Sequence, residues 1–233
     1  MKEKVVVPVL GNLRGRLIVS CQASVESPFA DAALMTAMAR AVLLGGAAAL
    51  RIESVAHVQA MRLLEAPVVG LIKRRTPGSD VYITPTVADV EALVDAGAAI
   101  IATDGTARVR PGGEILADLV TAAHALGVPV MADIDGVPAA EHALAAGADI
   151  LGTTLSGYTA GGVPEGPDLR LVAELVARFD APVFAEGRYS TPEQVGEAIA
   201  RGAWSVVVGT AISDPVRSTA RFRSAVEHQG GRR

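Results

Sequence analysis

The segment "APVVGLIKRR" (66–75) is an apolar, strand-like run that ends on Lys73, followed by Arg74 and Arg75. Side chains alternate along a strand, so Lys73 shares a face with Leu71 and Val69, while Arg74 belongs to the Ile72 face. Other apolar runs also finish on polar groups or glycine. Their ends supply Gln22, Arg51, Asp104, Asp133, Thr153 and Thr154, Glu186, then Gly209 and Thr210. A buried lysine can take and return a proton near neutral pH, whereas arginine stays charged. A carboxylate in the same pocket can move a second proton or hold the lysine in its charged form. Each residue also has a plainer explanation. Lys73 could be solvated, Asp133 or Asp104 could cap the next helix, and Glu186 could pair with Arg188. What separates the two readings is whether one fold brings these ends together.

The chain repeats a rhythm that does so. Four times a helix-like segment ends in a glycine-alanine step and enters an apolar stretch: "GGAAALRIES" (45–54), "DAGAAIIATDG" (95–105), "AAGADILGTT" (145–154) and "ARGAWSVVVGT" (200–210). Glycine at a helix end takes the left-handed conformation cheaply. Three further stretches are entered through proline, "APVVGLIK" (66–73), "GVPVMAD" (127–133) and "APVFAEG" (181–187), and "GRLIVSCQA" (15–23) begins the series. Proline suits the first position of a strand. Eight strands alternating with helical periodicity predict parallel right-handed crossovers and an α/β fold, a single-domain (β/α)8 TIM barrel over 1–233. A doubly wound open sheet is the alternative. In a barrel the polar ends share the C-terminal mouth, with the loops at 74–86 and 156–168 beside them. Several charges buried together need pairing or use, which predicts an active site there.

The last two units offer a subsite. Gly187 and Arg188 follow the seventh strand, Gly209 and Thr210 the eighth, and "STPE" (190–193) has the cap, proline and acid of a helix start. Glycine after a strand lets backbone N–H groups approach a ligand, and barrels of this kind often bind phosphate between these loops. These four residues are the expected phosphate contacts.

Composition narrows the classes. Of 233 residues half are hydrophobic and only 3% aromatic, which suits a large core of small aliphatics. A formal net charge of −4 argues against a nucleic-acid or anionic-membrane partner. The "GGRR" tail reads as a solvated end. A single cysteine, Cys21, excludes an intrachain disulfide and fits a reducing compartment. It precedes Gln22 and so faces the helices, packed rather than nucleophilic. The N-terminal stretch lacks signal-peptide features and no run approaches the ~20 apolar residues of a membrane span, so a cytoplasmic protein is expected. His57, His124, His142 and His228 lie without ligand spacing, and no P-loop or GxGxxG pattern occurs; no metal and no nucleotide cofactor are expected.

Seven motifs in order, "GRLIVSCQA", "GLIKR", "SDVYITPT", "MADI", "GTTLSGYT", "PVFAEGRYSTPEQ" and "VVVGTAI", resemble the N-acylglucosamine-6-phosphate 2-epimerases, from about Leu13 to Phe222. The resemblance implies a cofactor-independent (β/α)8 barrel that interconverts N-acetylmannosamine 6-phosphate and N-acetylglucosamine 6-phosphate in sialic acid catabolism. It implies that Lys73 is the catalytic acid/base with Glu186 as its partner. It implies sugar contacts from Gln22, Arg51 and Asp133, phosphate contacts from Gly187, Arg188 and Gly209, and a homodimer. Thr153, from the sixth strand end, joins the expected substrate contacts. The sequence departs from the family where "RRTPGSD" stands for "RDYPDSD", "ADIDG" for "ADIST", "ATDGT" for "LDAT" and "AISDP" for "AITRP". The last change removes an arginine near the mouth.

Epimerisation at C2 needs a carbonyl at C1, hence ring opening, an acid/base group and stabilisation of an enolate-like intermediate. Lys73 could serve if its pKa falls from ~10.4 toward neutrality; Arg51 would lower it and a charged Glu186 would raise it. A Schiff-base enzyme acting through Lys73, such as an aldolase, and a non-catalytic sugar-phosphate-binding barrel remain alternatives.

Overall fold

The computed structural model describes residues 8–24, 26–159 and 163–230. Residues 1–7, 160–162 within the loop at 156–168, and 231–233 of the tail lie outside the described residues. So do the ends of the 1–233 domain reading.

Eight parallel strands close a barrel in sequence order: β1 (Arg16–Cys21), β2 (Ala49–Glu53), β3 (Val68–Leu71), β4 (Ile100–Asp104), β5 (Val130–Asp133), β6 (Ile150–Gly152), β7 (Val183–Glu186) and β8 (Ser205–Val208). The register of β1 with β8, from Arg16↔Ser205 to Val19↔Val208, completes the ring. Closure excludes the open sheet. The helices are α1 (Pro8–Leu13), α2 (Ala32–Leu44), α3 (Val55–Met61), α4 (Val87–Ala96), α5 (Leu116–Ala125), α6 (Val137–Ala145), α7 (Leu169–Arg178), α8 (Pro192–Ala200), α9 (Thr210–Ser213) and α10 (Pro215–Gly230).

Local chemistry explains the repeat. At the four glycine-alanine steps Gly46, Gly97, Gly147 and Gly202 have φ of 98°, 102°, 96° and 95°, the left-handed turn that redirects each helix into the next strand. Pro67, Pro129 and Pro182 precede β3, β5 and β7, where their carbonyls accept from Leu50, Ile101 and Leu151 N–H while their missing N–H breaks no ladder bond. Thr191 caps α8 with Pro192 in its first turn, as "STPE" predicts.

Alternation then sorts side chains into two cores. Ile18, Ala49, Val69, Leu71, Met131, Phe184 and Val207 fill the barrel, with Leu10 and Leu13 of α1 joining the same cluster. Val19, Cys21, Leu50, Ile52, Ala132 and Ala185 face the helices. Cys21 is therefore packed outside the barrel, and burial pushes its thiol up to about 12. The interior set contains the partners the pleat assigns to Lys73, Asp133 and Glu186, so β5 and β7 carry Asp133 and Glu186 on an inward face, while β3 stops at Leu71, two residues short of Lys73.

Candidate active site

Arg51 sits in the barrel interior, on the same face of β2 as Ala49, and is only 2% exposed. Its Nη2 donates to Asp133 Oδ2 on β5 at 2.5 Å and its Nη1 to Glu186 Oε1 on β7 at 2.7 Å. One guanidinium thus spans three strands that are not neighbours. Ions taken this far from water cost several kcal/mol each unless paired, and here two carboxylates share one cation. Burial pushes both carboxyls up, Asp133 to about 7, while Arg51 pulls each back. Thr154 steadies Asp133 by donating to Oδ1 at 2.6 Å.

Beyond β6 the chain enters a single 3₁₀ turn, Thr153–Leu155. Thr153 Oγ1 donates to Glu186 O at 2.8 Å and accepts from Glu186 N at 3.0 Å. The turn therefore stitches to the backbone of β7 and fixes the root of Glu186.

Lys73 stands two residues past β3. An antiparallel bridge with Ile83 holds its backbone, flanked by bonds from Thr84 N to Ile72 O at 2.7 Å and from Arg74 N to Tyr82 O at 2.9 Å. The loop thereby folds back over the mouth, and Tyr82 joins Lys73 in lining the cavity. The three consecutive cations part as alternation demands. Arg74 pairs with Asp89 at 2.7 Å, Arg75 lies over the Tyr82 ring at 5.0 Å, and Lys73 lines the cavity. No hydrogen bond or ion pair holds the Lys73 ammonium among the described residues. Solvent reaches it through the open mouth, yet protein crowds it. Burial and then Arg51 lower its pKa, against the opposing pull of Glu186, Glu53 and Asp133.

At the opposite rim Gly187 has φ 111° and Arg188 φ 61°. Two successive left-handed residues are tolerable because the first is glycine; the second costs about 1–2 kcal/mol. The Arg188 guanidinium offsets that strain by donating to Gly166 O at 2.6 Å and Ser156 O at 2.5 Å, with the Tyr158 ring 5.3 Å away. Gly209 leads into α9; its carbonyl accepts from Ile212 N at 2.9 Å and Ser213 N at 3.0 Å, which leaves the N–H groups of Thr210 and Ala211 without an intrahelical acceptor. Ser213 Oγ pins that turn to Ser20 O at 2.5 Å.

The mouth encloses a cavity of about 530 Å³, within the range of small-molecule sites. Of the expected residues Gln22, Arg51, Lys73, Glu186, Gly187, Arg188, Gly209 and Thr210 line it. Asp133 does not; it lies behind Arg51. Thr153 does not, because its hydroxyl is engaged with the Glu186 backbone, and Thr154 takes the cavity wall instead. Asp104 binds Thr106 and Arg108 within its own loop. Glu186 pairs with Arg51, and neither Arg188 nor Lys73 is in ion-pair contact with it. Glu53, Tyr82, Asp214 and Arg217 also line the cavity and were not expected. Glu53 was findable, two residues past Arg51 on the same face. Tyr82 was not, since only the fold-back of its loop places it.

Among the described residues four buried polar atoms here lack partners: Gln22 Oε1, Arg51 Nε, Glu186 Oε2 and Tyr189 Oη. Buried polar atoms are nearly always satisfied, so these suit a polar ligand. Among the described residues no group of three or more His, Cys, Asp or Glu could hold a metal ion, and no helix is long and apolar enough to cross a membrane.

A family model described as "Putative N-acetylmannosamine-6-phosphate epimerase" matches residues 35–228. The chain is 51% identical over 221 residues to a "Bifunctional enzyme NanE/NanK" of Brucella melitensis, covering 94% of this chain but only 42% of that relative's length. It is 48% identical over 205 residues to a "Putative N-acetylmannosamine-6-phosphate 2-epimerase" of Thermosynechococcus vestitus, covering 86% of this chain and 89% of the relative. Among solved structures, the N-acetylmannosamine-6-phosphate 2-epimerase from Clostridium perfringens superposes with a TM-score of 0.90 at 41% identity, covering 93% of this chain and 95% of that one.

Proposed function

The chain belongs to the N-acetylmannosamine-6-phosphate epimerase family, and from that premise we propose that it interconverts N-acetylmannosamine 6-phosphate and N-acetylglucosamine 6-phosphate, a step of sialic acid catabolism. The observation that carries this reading is the uncommitted Lys73 ammonium, its pKa lowered, in a cavity that also holds an unpaired oxygen of Glu186.

Ring opening gives the sugar a C1 carbonyl, which makes the C2 proton acidic. Neutral Lys73 takes that proton and becomes an ammonium; the C2 electron pair moves toward the carbonyl oxygen as an enolate. The Lys73 ammonium gives a proton back to the other face of C2, which restores the neutral amine, and the ring recloses. Glu186, oriented by Arg51, moves the hydroxyl proton in ring opening through its free oxygen. Arg51 keeps positive potential beside the developing oxyanion. Gln22 and Thr154 supply polar contacts to the sugar, and the main chain at Gly187, Arg188, Gly209 and Thr210 cradles the phosphate. No cofactor enters these steps.

The functional unit spans the chain as one domain. The buried lone cysteine fits a reducing, cytoplasmic setting. On α10, Phe222 and Val226 are 77% and 73% exposed and lie one turn apart, an apolar stripe suited to a second copy in a homodimer. Proton NMR of N-acetylmannosamine 6-phosphate incubated with the protein tests the activity. Appearance of N-acetylglucosamine 6-phosphate resonances is expected, and an unchanged spectrum would overturn the reading.

A further inference from the structure

Among the described residues four cations line the cavity: Arg51, Lys73, Arg188 and Arg217. Arg51 is held by Asp133 and Glu186. Lys73 stands two residues past β3 with no hydrogen bond or ion pair among the described residues, and the proposed function uses it to carry the C2 proton. Arg188 has turned its guanidinium onto two main-chain carbonyls. Of the three guanidinium groups, Arg217 is the most loosely held among the described residues. Its side chain is 75% exposed, and its one ionic contact among the described residues is Asp214 Oδ2 at 3.4 Å.

The backbone of Arg217 is nonetheless fixed. Its N–H donates to Asp214 Oδ1 at 2.9 Å, the cap pattern of a helix start, so the side chain leaves the first turn of α10 from a defined root. Asp214 itself lines the cavity close to Gly209 and Thr210 in the chain. A bare carboxylate there would repel a phosphate monoester, which carries about −1.5 to −2 charges at neutral pH. Where the resembled family reads "AITRP", position 214 supplies an arginine; here the cation lies three residues further on. Guanidinium binds phosphate oxygens in a bidentate fork, a stronger contact than a single 3.4 Å approach to one carboxylate oxygen.

We propose that Arg217 is the side chain that reads the phosphate in this protein, exchanging its contact with Asp214 for the ligand and standing in for the guanidinium absent from position 214. This rests on the sugar-phosphate reading above.

The test compares wild type, Arg217→Ala, Arg217→Lys and the double variant Asp214→Arg/Arg217→Gln, by steady-state kinetics on N-acetylmannosamine 6-phosphate and by calorimetry with inorganic phosphate. Loss of charge-assisted bonds should raise KM in Arg217→Ala on the order of 10- to 100-fold with kcat little changed. The inorganic phosphate Kd should weaken in parallel. Arg217→Lys should fall between, and the double variant should regain KM. An Arg217→Ala enzyme with unchanged KM and unchanged phosphate binding would overturn the proposal. If wild type fails to turn over while its phosphate binding still depends on Arg217, the proposal stands and the epimerase reading falls.

Discussion

Arg51 Nη1 and Glu186 Oε1 lie 2.7 Å apart although 135 residues separate them in the chain. The bond crosses the barrel from β2 to β7 and, with Asp133, makes Arg51 the hub of the mouth. It also leaves Lys73 and Glu186 uncoupled by direct contact, so the lysine can titrate while the carboxylate stays oriented.

Arg51→Met should strand two buried carboxylates and cost on the order of 3–5 kcal/mol at neutral pH. The sign of its pH dependence follows from the raised carboxyl pKa values. A carboxyl whose folded pKa exceeds its unfolded one contributes stability below the unfolded value and loses it as pH rises through the folded value. Asp133 already loses its contribution between about 4 and about 7. Without Arg51 the folded values climb further, so the penalty should be larger at pH 8 than at pH 5. Urea unfolding at both pH values measures this, and equal penalties would contradict the account of the hub.

Glu186→Gln keeps an oxygen to accept from Arg51 and removes the negative charge. Stability should change far less than in Arg51→Met. Turnover should fall on the order of 10²–10⁴ if Glu186 moves a proton in ring opening. A variant with near-normal kcat would reduce Glu186 to a structural ion pair.

Arg188→Ala should do more than weaken phosphate binding. The sequence points to a phosphate-contacting side chain, but the guanidinium ties the loops after β6 and β7 to each other. Losing both bonds should cost on the order of 1–3 kcal/mol, and alanine would keep the strained left-handed backbone. Arg188→Gly should therefore be about 1 kcal/mol more stable than Arg188→Ala. Both should raise KM by misplacing the backbone N–H groups at 187–188. Thermal unfolding of the pair decides the point: equal Tm values would show that the φ of 61° carries no strain.

What the sequence reveals here is local. Glycine-alanine steps and proline entries act over a few residues, so eight strands and their order can be read directly. The pleat fixes which of Lys73, Arg74 and Arg75 turns inward, again over two or three residues. Pairing across the barrel is not local. Asp133 and Glu186 lie 82 and 135 residues from Arg51, and only closure of the sheet brings them together. The choice between Thr153 and Thr154 fails for a different reason. β6 stops at Gly152 and the chain coils into a 3₁₀ turn, so strand alternation no longer says which threonine faces the cavity.

Lys73→Met should abolish turnover with the fold intact, because the side chain lies at an open mouth and anchors no hydrogen bond among the described residues. In the wild type a neutral lysine must take the C2 proton, so kcat/KM should rise with pH through the free-enzyme pKa of Lys73. Burial and Arg51 place that value below 10.5, while Glu186, Glu53 and Asp133 hold it up. Residual activity in Glu186→Gln should accordingly show the same limb displaced to lower pH, since one negative neighbour is gone. Turnover in D₂O should place deuterium at C2, because the abstracted proton exchanges among the hydrogens of the ammonium. A pH limb that stays in place in Glu186→Gln would separate Lys73 from Glu186 electrostatically. Turnover surviving in Lys73→Met would remove the lysine from the chemistry, whatever the pH profile showed.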